Sequence, residues 1–292
     1  MRLFGQWWEP EQPPDAVILL LHGTLVHSGF YYPWAQHLND HGYAVFAIDL
    51  RGWGQSQGYG RRAVIYDYDE YLEDTVLAYQ EVRSRYPDLP LYLQGESMGG
   101  AIALLSQVEC RFEVDGMILN APAIQPGLSL GPVRFPMWAN RLGLWGLSQP
   151  GRVYPNMPTP VPGPVVEWGI PMVLKDKEVR GRFKQDPHSL HRALPYSYFN
   201  GLRRAGVRVR QGLDSVDSPV IIIHGTRDAL VPPRSSQYTL DNLASEDKTL
   251  RVHRRMSHAT LHDIQRKDVW EDIIGWLEER QPDKASRGVS GR

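Results

Sequence analysis

Leu91-Tyr92-Leu93-Gln94-Gly95-Glu96-Ser97-Met98-Gly99-Gly100-Ala101-Ile102-Ala103-Leu104 passes from an apolar, strand-like segment through a glycine-rich turn into a helix-like one. The turn reads Gly-x-Ser-x-Gly, with Gly100 as one more small residue behind it. A sharp strand-to-helix turn holds its central serine in a strained backbone conformation and brings two backbones together, so small residues are needed on both sides. The new helix begins beneath the serine, where its positive end favours a developing anion. The bare pattern arises by chance in about one chain in ten of this length. Its place between an apolar run at 91–93 and a helix-like stretch at 101–108 gives it weight. Ser97 is the candidate nucleophile.

Working outward, short apolar runs recur, each closed by a turn residue: Ala16–Leu21 before His22-Gly23, 43–48 before Asp49, 117–119, 220–223 before His224-Gly225, and 249–252 before His253. Runs this short and apolar on both faces predict buried strands of a mostly parallel sheet. Helical spacing appears between them at 67–86, 101–108, 234–243 and 269–279. The alternation predicts an α/β architecture with helices on both faces of the sheet, and with chemistry on loops at the carboxyl ends of the strands.

The rhythm breaks at 123–202. Pro155, Pro158, Pro160, Pro162 and Pro164 exclude regular helix or central strand from one part of it. Just before them, 124–149 carries only two charges, Arg134 and Arg141, among Phe135, Met137, Trp138 and Trp145. We read this region as a helical lid inserted into a core made of 1–122 and 203–292, with a polar, disordered tail after about 281. On a helix, Trp138, Leu142 and Trp145 share one stripe, which either packs on the core or forms an apolar rim that meets an acyl chain or a membrane surface.

A serine hydroxyl needs a histidine to take its proton and an acid to orient that histidine. Asp228, in His224-Gly225-Thr226-Arg227-Asp228, falls at a strand end on the same edge as Ser97. His258, in Met256-Ser257-His258-Ala259, follows the last strand and is the expected base. His253 lies within that strand and His262 one helical turn beyond. Two backbone amides should hold an oxyanion: Met98, after the nucleophile, and Thr24, in the turn after the first long strand, with Leu25 the weaker choice. His22 and His224, each before a glycine at a strand end, are expected to be structural.

Composition narrows the rest. Formal charge is −1 and no Lys/Arg run occurs, which gives no reason to expect nucleic acid. Cys110 is the only cysteine, excluding a disulfide framework or a Cys-rich zinc site, and no HExxH motif is present. No cofactor or metal is expected. With no charged-then-apolar leader and no long apolar run, the expected location is cytoplasmic, with transient contact at a membrane periphery through the lid.

His22-Gly23-Thr24, Asp49-Leu50-Arg51-Gly52-Trp53-Gly54-Gln55-Ser56, Gly95-Glu96-Ser97-Met98-Gly99-Gly100 and His224-Gly225-Thr226-Arg227-Asp228 occur in this order. Together they resemble the monoacylglycerol lipase and lysophospholipase branch of the α/β hydrolases, the branch that includes S33-type serine aminopeptidases. The resemblance runs from Ala16 to Leu277; in the lid it extends only to size and position. Trp53 stands where a histidine is usual in D-x-R-G-H-G, and the N-terminus looks short for the full set of leading strands. The resemblance implies a carboxylic ester hydrolase acting on single-chain acyl lipids, a mobile apolar cap, no cofactor, and the triad Ser97, Asp228 and His258. Two alternatives remain: an S33-type aminopeptidase, which needs a lid carboxylate such as Glu167, Asp176 or Glu178 for the substrate amine, and a non-catalytic ligand-binding protein of this fold.

Overall fold

The computed structural model describes residues 1–125, 127, 129–130, 133–134, 136–160 and 169–281. Seven strands form one sheet in the order β1-β3-β2-β4-β5-β8-β9: β1 Phe4–Trp8, β2 Ala16–Leu21, β3 Tyr43–Asp49, β4 Leu91–Glu96, β5 Gly116–Asn120, β8 Val220–Gly225 and β9 Lys248–His253. All neighbours pair in parallel except β1, which runs antiparallel along β3 from Phe4 opposite Asp49 to Trp8 opposite Val45. The six parallel strands therefore end along one edge. β3 lies on one side of β2 and β4 on the other, so the chain reverses its direction of winding there, the place where open α/β sheets bind their ligands.

The central strands are buried along their whole length, and the two-residue alternation divides their side chains between two cores. Val17, Leu19 and Leu21 face a layer formed with α2 Asp69–Arg85, α3 Met98–Cys110 and α6 Tyr196–Gly212. Ala16, Ile18 and Leu20 face α1 Tyr32–Asp40 and α8 Arg266–Glu278. The remaining core helix, α7 Pro233–Asn242, connects β8 to β9. Observed helix ends differ from the expected ranges by a turn or less. β1 was not anticipated: Gly5 and Gln6 interrupt its apolar pattern, and an edge strand buries too little to need one.

Between β5 and β8 lie a small hairpin (β6 Ser129–Leu130, β7 Val133–Arg134), α4 Met137–Ser148, α5 Lys177–Gln185 and α6. α6 runs straight through the expected lid boundary at 202–203, because Leu202, Ala205 and Val209 form one buried stripe against the core. Part of the proline run, Glu167, and the chain after Gln281 fall outside the described residues. Of the two dispositions open to the Trp138, Leu142 and Trp145 stripe, the structure shows the exposed one, at 70%, 58% and 53%. Among the described residues no helix is long and apolar enough to cross a membrane.

Candidate active site

Ser97 has φ 52° and ψ −109°, a conformation that costs an L-residue on the order of 1–3 kcal/mol. The glycines around it let that turn exist. A Cβ on Gly95 would stand 2.3 Å from the Gly99 carbonyl oxygen, and one on Gly99 would stand 2.1 Å from the carbonyl of Leu21. α3 can thus start directly beneath the serine and against the end of β2. The peptide of Ser97 is tied to the neighbouring strand end: its N–H donates to Asn120 O at 2.8 Å, and its carbonyl accepts from Ala123 N at 2.9 Å.

The Ser97 hydroxyl meets His258 Nε2 at 2.8 Å, and His258 Nδ1 meets Asp228 Oδ2 at 2.6 Å. All three side chains are buried. The other Asp228 oxygen accepts the backbone N–H groups of Leu230 and Val231, each at 2.8 Å, which fixes the carboxylate plane. Burial by itself would raise the Asp228 pKa. The His258 charge and hydrogen bonds from His224 and His258 overcome it and hold the acid well below the usual carboxylate range. Burial would likewise depress His258, but the Asp228 carboxylate, through charge and hydrogen bond, raises it above the ordinary imidazole value. An ionised acid beside a base of elevated pKa suits proton abstraction from a hydroxyl.

The loop bearing His258 is braced where it crosses β8. A Cβ on Gly225 would lie 2.4 Å from the carbonyls of both Met256 and Ser257, so the His224-Gly225 pair marks the crossing. Ser257 N donates to Asp263 Oδ2 at 2.9 Å, and Asn120 Nδ2 donates to Thr260 Oγ1 at 3.1 Å. His253 turns away from the site and places Nε2 2.9 Å from Asp272 on α8. His262 is buried beside Phe30 and Tyr31, and burial pushes its pKa down to about 3.

Met98 opens α3, where the first N–H groups have no partner within the helix. Thr24 lies in the turn after β2, and its hydroxyl pairs with Tyr198 OH of α6 at 2.5 Å. His22 makes that turn rigid: its Nε2 accepts from Leu50 N at 3.1 Å, so its Nδ1 donates to Gly23 O at 2.8 Å. Burial lowers the His22 pKa to about 4, keeping it neutral for both bonds. In the Asp49–Ser56 turn, Trp53 stacks edge-on against His22 and donates Nε1–H to Tyr71 OH at 2.7 Å, so the residue found in place of the usual histidine is well accommodated.

Sequence reasoning missed two features. His224 reaches Asp228 Oδ2 with Nε2 at 3.0 Å while bonding Val231 O at 2.9 Å, so it supports the acid as well as the strand end. Behind Ser97, Glu96, Tyr31 and His262 form a buried polar cluster. Its members lie up to 231 positions apart (262 − 31), and only the folded sheet joins them. The arrangement can carry acyl transfer: a nucleophile, a base and an orienting acid stand in one hydrogen-bonded row.

A family model described as Hydrolase_4, serine aminopeptidase S33, matches residues 12–265. A monoacylglycerol lipase of Mycolicibacterium smegmatis is 29% identical over 95% of this chain and 93% of its own. The human monoglyceride lipase is 28% identical over 95% of this chain and 87% of its own. Among solved structures, the monoacylglycerol lipase of Paleococcus ferrophilus superposes with a TM-score of 0.76 at 21% identity, over 96% of this chain and all of that one.

Proposed function

This chain belongs to the serine aminopeptidase S33 family of α/β hydrolases, and from that premise we propose that it is a carboxylic ester hydrolase acting on single-chain acyl lipids, with monoacylglycerols as the first substrate class. The observation that carries the proposal is the unbroken hydrogen-bond chain Ser97–His258–Asp228 in a chain similar along nearly its whole length to monoacylglycerol lipases. Ser97 attacks the ester carbonyl as His258 Nε2 takes its proton. Asp228 holds the imidazole and stabilises its charge, and the amides of Thr24 and Met98 receive the oxyanion. The alcohol leaves with the proton from His258. Water then repeats the sequence to release the acid.

The exposed Trp138, Leu142 and Trp145 form the apolar outer rim of the lid in this reading, meeting the acyl chain as it enters and resting on the lipid surface that supplies it. Each buried acyl methylene would contribute about 0.8 kcal/mol. The aminopeptidase alternative fares less well. Asp176, a candidate for holding an amine, is taken up by Arg266 at 2.7 Å, and Glu178 is exposed on α5. A binding protein without turnover has no need of the strained serine.

The test is a panel of monoacylglycerols from C8 to C18, lysophosphatidylcholine and alanyl or prolyl arylamides. Release of fatty acid from monoacylglycerol, abolished in Ser97→Ala, is the expected result. Cleavage of arylamides in preference to all esters would overturn the reading.

A further inference from the structure

Glu96 directly precedes the nucleophile, yet none of the steps above uses its buried carboxyl. Its neighbours come from two other parts of the site, the Thr24 turn and the chain just beyond His258. Tyr31 OH accepts the backbone N–H of Gly23 at 2.8 Å, so its own proton goes to Glu96 Oε2 at 2.6 Å. Gly23 is the residue before Thr24. On the far side, His262, in the helical turn Thr260–His262 that begins two residues beyond His258, packs with Nε2 3.6 Å from Oε2, outside hydrogen-bond range. A Cβ on Gly23 would meet Tyr31 OH at 3.4 Å and Glu96 Oε2 at 3.7 Å, ordinary contact, so the turn, the tyrosine and the carboxyl pack directly together.

We propose that Glu96 and Tyr31 are positioning residues that clamp the Thr24 turn to the nucleophile turn, setting the spacing of the two oxyanion amides. The proposal rests on the ester-hydrolase reading. Thr24 and Met98 come from different strand ends, and the amide of Thr24 is placed relative to Ser97 only as well as its turn is held. Gly23–Tyr31–Glu96 joins the residue before Thr24 to the residue before Ser97 in two hydrogen bonds. The clamp needs an acceptor at Oε2. It does not need a charge, and a glutamine supplies the acceptor with its amide oxygen. Misplacing a catalytic donor by about 1 Å can cost on the order of a hundredfold.

The experiment compares Tyr31→Phe, Glu96→Leu and Glu96→Gln with wild type on a monoacylglycerol and on a trifluoromethyl ketone of the same acyl chain, to whose carbonyl Ser97 adds as His258 takes its proton, giving a hemiketal that mimics the tetrahedral oxyanion. Tyr31→Phe and Glu96→Leu should each lower kcat by about ten- to a hundredfold with KM changed less than about threefold, and should weaken the ketone by the same factor as kcat. Glu96→Gln should keep kcat within about threefold of wild type. If Glu96→Leu does not fold, Tyr31→Phe, which loses a single oxygen, decides the matter. Wild-type kcat in Tyr31→Phe overturns the proposal, as does a loss of kcat with ketone affinity unchanged. An inactive wild-type protein would instead overturn the ester-hydrolase reading.

Discussion

Replacing Asp228 by asparagine changes one atom, and the structure dictates which way that atom must face. Oδ1 accepts two backbone N–H groups at 2.8 Å, from Leu230 and Val231. The asparagine must keep its carbonyl there, since its NH2 group would otherwise point at two donors. The NH2 therefore takes the place of Oδ2, 2.6 Å from His258 Nδ1 and 3.0 Å from His224 Nε2. Facing a donor, Nδ1 must accept, so the imidazole proton moves to Nε2. That nitrogen then donates to the Ser97 hydroxyl and cannot take its proton. The same tautomer trap in a serine-protease triad costs about ten-thousandfold in kcat, equivalent to about 5.5 kcal/mol. We expect a loss of at least a thousandfold in Asp228→Asn on p-nitrophenyl butyrate at pH 7.5, with Tm lowered by no more than a few degrees. A folded variant retaining more than a tenth of wild-type kcat would refute the reasoning.

Because His258 works as a neutral base and its pKa lies above the usual 6.5, kcat/KM should fall tenfold per pH unit below an inflection higher than that value and level off above it; an inflection below 6 in a pH–rate profile would contradict this. Gly99→Ala puts a methyl 2.1 Å from the Leu21 carbonyl, a backbone clash that no rotamer relieves, and urea unfolding should show a loss of at least about 2 kcal/mol. His258→Ala should lose activity about as severely as Ser97→Ala, whereas His253→Ala, whose ring faces Asp272 on the sheet's far flank, should stay within about threefold of wild type in the same ester assay.

The parts of the site written locally in the chain were legible. The Gly95–Gly100 turn declares itself because its glycines answer a steric demand set within six residues, and the structure places Cβ clashes at Gly95 and Gly99 where the motif requires none. Chain order and strand ends pointed to His258 over His253, and the structure places His258 Nε2 2.8 Å from the Ser97 hydroxyl while β9 carries His253 toward α8. The contact of Tyr31 with Glu96 was hidden because no local pattern links a tyrosine closing a short helical turn to a carboxylate at a strand end 65 residues on. The second contact of His224 was hidden as well: its strand-end position gave a structural reason for the residue, and only the return of the chain at Asp228 added another. In the lid, the spacing of Trp138, Leu142 and Trp145 fixed a common stripe. It left open which way the stripe faces, because an apolar stripe is equally consistent with a core neighbour and a lipid.

Covalent capture of Ser97 tests the central claim most directly. The purified protein is treated with an alkyl fluorophosphonate, digested and mapped by mass spectrometry, alongside a sample preincubated with a monoacylglycerol. We expect one adduct, on Ser97, formed in step with the loss of esterase activity, slowed by the monoacylglycerol, and absent from Ser97→Ala. Full ester turnover in protein that carries no adduct, or an adduct on a different serine that tracks the loss of activity, would contradict the account.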